Sequence, residues 1–466
     1  MVKKNVWNEY TEKQIKETNE FAKNYCYFLD HGKTERECID QIVNKIEKFG
    51  YQELQDVMKS GKTLKKGDKV YSVCMNKSIV MFQIGEESME NGMNILGAHI
   101  DSPRLDIKQN PLYEDGGIAY LDTHYYGGVK KYQWVTLPLA LHGVIVKKDG
   151  TTVEVNIGEE EDDPVFFVSD LLIHLAQDQM EKKASKVIEG EALDIVVGNI
   201  PLSNKEEDKE DVTAVKNNIL RILKEMYDIE EEDFISAELE VVPAGKAREA
   251  GFDRSLILSY GHDDRVCAFS SLEAMLEVTD STRTTCCILV DKEEIGSVGA
   301  TGMRSNFFAN TVAEVLNLTG DYNDLVLRRC LANSYMLSSD VNAAYDPTYA
   351  SQFDKKNTSF LGQGMILIKF TGSRGKSGSN DANAEYIAQI RKAMEKDHII
   401  YQTAELGKVD AGGGGTIAYI LALYGMNVID CGIAVLNMHA PWEAISKADL
   451  YETKRGYAAF LREIGK

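Results

Sequence analysis

Apolar residues recur at helical spacing over residues 11–29 and 34–49, which predicts two helices. Residues 56–85 read instead as strands broken by lysine- and glycine-rich turns. "MNILGAHIDSPRLD" (93–106) is a short apolar strand running into polar residues. The pattern then changes. "HGVIVKKDGTTVEVNIG" (142–158) alternates apolar and polar on both sides of Asp149-Gly150, which predicts a β-hairpin. The acidic stretches 158–164, 204–211 and 229–233 read as solvated faces and loops.

From about residue 252 the earlier style resumes. The runs 255–264, 286–294, 333–340, 365–370 and 428–441 are short apolar strands ending in polar clusters. Helical patterns separate them at 264–278, 305–318, 382–397 and 414–425. Strand and helix in alternation predict an α/β sheet with helices on both faces. The block 105–250 therefore reads as a second domain inserted into a first one made of 1–104 and 251–466.

A chain of 466 residues is long enough for more than one core, and its 44% hydrophobic and 27% charged residues are those of an ordered globular protein. The net charge of -21 repels phosphate backbones and anionic lipid, so nucleic acid and membranes are excluded as partners. Nothing at the N-terminus resembles a signal peptide, and no run reaches the roughly 18 apolar residues of a membrane span. The eight cysteines are scattered without CxxC spacing, as expected of buried free thiols in a cytoplasmic protein.

In such sheets a ligand site lies beyond the carboxyl ends of the strands. Those ends carry His99 and Asp101, His262 to Asp264, Asp291 to Glu294, Asp340 and His439. Taken alone, His99 reads as a structural histidine, and Asp340, Asp263 and Asp264 as helix caps. Taken together, so many carboxylates converging on one place are costly to bury unless a cation offsets them. Imidazole with carboxylate suits zinc, manganese or cobalt better than calcium or magnesium. His99 and Asp101, at i and i+2 on a strand, share a face, so Asp101 can support the ring of a metal-binding His99. Glu293 and Glu294 are adjacent, and the turn at Gly296 and Gly299 can bend both towards one cavity. One can then bind metal while the other takes a proton from water.

In this order, "GAHIDSPRLD", "HDDR", "DKEEIGS", "SSDVNAAYDP" and "NMHAPWE" resemble the M18 family of metallo-aminopeptidases, the aspartyl aminopeptidase and yeast vacuolar aminopeptidase I group. The resemblance spans essentially the whole chain. It implies a mixed-sheet co-catalytic metallopeptidase domain, an inserted β-rich dimerisation domain, and a tetrahedral dodecamer built from dimers. Carried over by motif, it implies that His99 and Asp340 bind one divalent cation and Glu294 and His439 another, with Asp264 bridging the two. Glu293 is then the general base and Asp101 orients His99. The substrate is a peptide with a free N-terminus, and the ions are two zincs, with manganese or cobalt as alternatives.

One departure concerns specificity. The family's aspartyl members carry an "IPHL"-like stretch whose histidine reaches a neighbouring subunit's site. Here "VSDLLIHL" sets Asp170 at that place and His174 one turn later, so a basic or neutral side chain is favoured over an acidic one, unless Asp170 is a helix cap. Arg374 and Lys376 lie in a glycine-rich loop and either touch substrate or are solvated. "DAGGGGTIAYILA" lacks phosphate-loop spacing. The rival readings are another metal-dependent amidohydrolase (a deacylase or endo-acting peptidase) and a non-catalytic shell protein. A spare base beside a full ligand set argues against the last.

Overall fold

The structure, a computed structural model, describes residues 4–202 and 213–465, so the acidic stretch 204–211 lies outside the described residues. It divides into two compact units: Met1–Ser102, Ala247–Met438 and Glu443–Lys466 form one, and Pro103–Lys246 with His439–Trp442 the other. Residues 439–442 thus group with the second unit, although they fall in the range 251–466 expected of the first domain.

Among the described residues, the largest sheet of the first unit has nine strands. At its centre, Asn94–His99 lies between Thr285–Val290 and Tyr335–Ser339, parallel to both. Asn427–Gly432 follows in parallel, whereas Ser78–Gln83 and Met365–Ile368 pair antiparallel, so the sheet is mixed. Side chains alternate between two cores, as the two-residue period of a strand requires. Leu96, Ala98, Cys287 and Leu289 enter one core, and Ile95, Cys286, Ile288 and Val290 the other. The first is closed by the helices Glu12–Asp30, Glu35–Ile46, His262–Glu277, Ala384–Lys396 and Lys447–Glu463. Phe307–Thr319, Asp324–Ala332 and Ala418–Ala422 cover the second. Each fully buried Leu, Ile or Val contributes about 1.5–3 kcal/mol, so the two layers together hold the sheet. Thr11 and Thr34 start the two N-terminal helices with capping boxes to Gln14 and Glu37.

The pattern misassigned some elements. Residues 54–60, partly inside the stretch expected to be strands, form the helix Leu54–Ser60, because Leu54 and Val57 are three apart and bury one helical face. The run 428–441 splits between sheets: Asn427–Gly432 belongs to the nine-stranded sheet and Ala434–Leu436 to a five-stranded one. That smaller sheet also takes Leu256–Ser259 and Glu443–Ser446. Hydrophobicity marks a strand but not its partner, which long-range packing selects.

Among the described residues, the second unit is built on a seven-stranded antiparallel sheet, with the helix Ala214–Tyr227 beside it in the chain. The expected hairpin is present: Leu139–Val146 pairs with Thr152–Ile157, and Gly150 takes φ 90° at the turn. Among the described residues no helix is long and apolar enough to cross a membrane. All eight cysteines are free.

One buried carboxyl in the large sheet affects stability. Thr416 Oγ1 donates to Asp430 Oδ1 at 2.5 Å, and burial pushes the Asp430 carboxyl up to about 7. A group whose pKa is higher in the folded state favours folding at low pH, and that advantage is lost as pH rises from about 4 through 7. The cost above pH 7 is roughly 4 kcal/mol. Asp430→Asn is therefore expected to raise the melting temperature more at pH 8 than at pH 5. An equal change at both pH values would show that Asp430 carries no such cost.

Candidate metal centre

Three neighbouring parallel strands deliver the chemistry to one edge of the sheet. Val290 pairs with His99, and Ser338 with Gly97. The ends of these strands therefore place His99, the turn bearing Glu293 and Glu294, and Asp340 side by side. Lys292 (φ 68°) and Gly296 (φ 97°) bracket a short 3-10 turn over Glu293–Ile295, the bend expected of this segment. A fourth carboxylate arrives from the loop that follows Leu256–Ser259.

His99 Nε2 lies 3.2 Å from Asp263 Oδ1, 3.9 Å from Asp340 Oδ1 and 4.0 Å from Glu293 Oε2. One ligand atom each from His99, Asp263 and Asp340 falls within 4.8 Å of the others, and Asp263 and Glu294 approach each other as closely. Asp263 thus joins both groupings, where Asp264 was the expected bridge. Both aspartates have non-helical backbone at a kink inside the first turn of the helix His262–Glu277, φ -80° and ψ 107° at Asp263 and φ -117° and ψ 27° at Asp264. Asp263 faces His99, while Asp264 is buried beside the Cys267 thiol and the His99 backbone. Two adjacent aspartates look alike in a sequence, and the local backbone turn decides which one reaches the cluster.

Asp101 works at two levels. His99 Nδ1 is 3.0 Å from its backbone oxygen and 3.3 Å from its Oδ1, which leaves Nε2 facing the cluster. The same carboxylate accepts the backbone N–H groups of Glu293 and Glu294, at 3.1 Å to Oδ1 and 3.1 Å to Oδ2. One buried side chain therefore ties the histidine to the glutamate turn.

The electrostatics call for positive charge. Burial pushes Asp340 well above the ordinary carboxylate range, and repulsion from Asp263 and Asp264 pushes it further. Burial also raises Asp264. Burial alone would lower His99, but hydrogen bonds to Asp101 and Asp263 carry it well above its usual value. Carboxylates this close and this buried do not ionise together without a cation, and their mix of oxygen and imidazole nitrogen fits a zinc-type ion. His262, in contrast, is turned into the core, its Nδ1 2.8 Å from Tyr25 Oη and its Nε2 3.1 Å from the Ile257 carbonyl.

Residues 28–461 match a family model described as aminopeptidase I zinc metalloprotease (M18). The chain belongs to the M18 family. A Clostridium acetobutylicum protein named probable M18 family aminopeptidase 1 is 61% identical over 98% of each chain. The crystal structure of aminopeptidase I from Clostridium acetobutylicum superposes with a TM-score of 0.92 at 59% identity, covering 99% of both chains. That of an M18 aminopeptidase from Thermotoga maritima superposes at 0.93 with 44% identity, covering 100% of both. A more distant structure, an S. cerevisiae dodecamer, shares the fold at TM-score 0.75 and 21% identity, covering 94% of this chain and 95% of that one. The α/β fold and the metallo-aminopeptidase class expected from the motifs are thus borne out.

The remaining residues expected of an M18 chain lie as follows. His439, with φ 64°, sets Nδ1 2.9 Å from the Gly128 carbonyl. Asp170 is exposed, and its Oδ1 accepts from the Leu171 N–H at 2.8 Å and from Gln179 Nε2 at 2.9 Å, which favours a structural role. His174 is exposed in the short turn Ile173–Leu175. Arg374 and Lys376 are exposed, and Lys376 pairs with Asp381 at 2.9 Å. The glycine-rich stretch packs rather than cradles: a Cβ on Gly413 would stand 2.2 Å from the Gly372 carbonyl oxygen.

Gly432 was not foreseen. A Cβ there would come within 1.8 Å of the Asp340 carbonyl oxygen, so only glycine lets Asp340 approach the neighbouring strand. Gly432→Ala is expected to destabilise the fold by about 1–3 kcal/mol. Because it must displace Asp340, it should also cut kcat/KM by a factor approaching 10². Unchanged kinetics in a folded Gly432→Ala variant would show that the Asp340 position tolerates the shift.

Proposed function

We propose that this M18 enzyme removes N-terminal residues from peptides by general-base hydrolysis at the His99, Asp263 and Asp340 cluster. The observation that carries this reading is the approach of Glu293 Oε2 to 4.0 Å from His99 Nε2, beside a donor set that does not need Glu293 as a member. His99 and Asp340 would hold one divalent cation, Glu294 with the motif residue His439 a second, and Asp263 would be shared. When bound, the cations supply Lewis-acid activation of water and of the scissile carbonyl. Glu293 takes the proton of the attacking water and returns it to the leaving amine nitrogen. Asp101 keeps His99 and the glutamate turn in register. Zinc is the first candidate for both sites, with manganese or cobalt as alternatives. The substrate's free α-amino group distinguishes this reading from a deacylase or an endo-acting peptidase.

Residues 1–104 and 251–466 would carry catalysis and residues 105–250 dimerisation, with assembly as a tetrahedral dodecamer. The dodecameric relative and the shared fold support a homo-oligomer. Eight free cysteines fit a cytoplasmic location. Because Asp170 is engaged in its own turn, selection of the N-terminal side chain by Asp170 is disfavoured.

The test is hydrolysis of unblocked Asp-, Glu-, Lys-, Arg-, Leu- and Met-peptide amides with added zinc, manganese or cobalt, beside N-acetylated and chelator-treated controls. Metal-dependent cleavage of the free-amine substrates alone is expected. Equal cleavage of the acetylated series would make the enzyme a different amidohydrolase.

A further inference from the structure

The main chain of Asp263 is gripped from both sides. Its N–H donates to Glu443 Oε2 at 3.0 Å, and its carbonyl accepts from Ser102 Oγ at 2.5 Å. All three residues are buried, with Ser102 at 0%, Glu443 at 1% and Asp263 at 3% exposure. The two grips come from different parts of the first unit. Ser102 follows the strand that ends in His99. Glu443 opens the strand Glu443–Ser446, and its register partner Ser259 ends the strand that leads into Asp263.

Asp263 needs such support. Its backbone is non-helical, so no helix ladder fixes its peptide groups, and a buried N–H or C=O requires a partner. Whatever turns this peptide turns the carboxylate shared by both ligand groupings. A neutral acceptor would satisfy the N–H alone. A carboxylate makes a stronger, charge-assisted bond and therefore a stiffer one.

We infer that Glu443 and Ser102 are positioning residues for the Asp263 carboxylate, and that their two hydrogen bonds set the affinity of the shared cation site. The inference rests on reading Asp263 as a metal ligand. Glu443 is the last residue of "NMHAPWE" and Ser102 sits inside "HIDSPR", so each motif supplies a support as well as its histidine.

The experiment is a cobalt(II) titration of the chelator-stripped full-length protein, read by visible absorption and calorimetry, with folding checked by circular dichroism. Glu443→Ala is expected to raise the cobalt Kd by about 10–100-fold. Glu443→Gln keeps an acceptor oxygen but not its charge, so it should weaken binding by less than Glu443→Ala does. Ser102→Ala, the smallest change, should weaken binding in the same direction. Should Glu443→Ala fail to fold, Ser102→Ala decides, and a Kd unchanged in that variant overturns the inference. So does a folded Glu443→Ala with unchanged Kd, or a Glu443→Gln as weak as Glu443→Ala. If the unmodified protein takes up no cobalt, the metal-centre reading itself fails. Normal uptake by the parent with unmoved variants sinks the positioning role alone.

Discussion

Glu293→Gln is expected to lower kcat by about 10²–10⁴-fold while the protein keeps its full complement of metal. The glutamine has the same shape and preserves the backbone N–H bond to Asp101 Oδ1 at 3.1 Å, so the turn should not move. What it lacks is a basic oxygen. The His99, Asp263 and Asp340 grouping is complete without Glu293, and so is the approach of Asp263 to Glu294, so metal binding should survive. The measurement is kcat beside metal content on the same sample. Full activity would remove Glu293 from proton transfer. Loss of metal together with activity would instead make it a ligand.

The second large effect separates the two neighbouring aspartates. Asp263→Ala should weaken metal binding by more than the roughly 10–100-fold that losing a supporting partner costs, because it takes an oxygen from both ligand groupings. Activity should fall with it. Asp264→Ala should leave metal content largely intact, because Asp264 lies beside Cys267 and the His99 backbone. Metal analysis after dialysis checks both variants. Release of metal by Asp264→Ala but not by Asp263→Ala would reverse the assignment.

Much of the fold was legible because its period is local. The alternation in Asn94–His99 and Thr285–Val290 and the capped helices after Thr11 and Thr34 follow from neighbouring residues alone. The helix Leu54–Ser60 was misread because it is short and followed by lysine- and glycine-rich turns that resemble strand breaks. The small sheet containing Leu256–Ser259 and Glu443–Ser446 could not be foreseen, since pairing across nearly two hundred residues leaves no local pattern.

The site divides in the same way. The sequence by itself determined which residue types stand at the strand ends and, through five motifs in order, the family to which they belong. It also placed Glu293 and Glu294 on a glycine turn. Only the tertiary structure decided that Asp263 rather than Asp264 faces His99, that Asp101 ties His99 to the glutamate turn, and that Gly432 makes room for Asp340. Each of these depends on where a backbone segment bends or how closely two strands approach. Such distances arise when far-apart segments pack, whereas chemical type and spacing are already written along the chain.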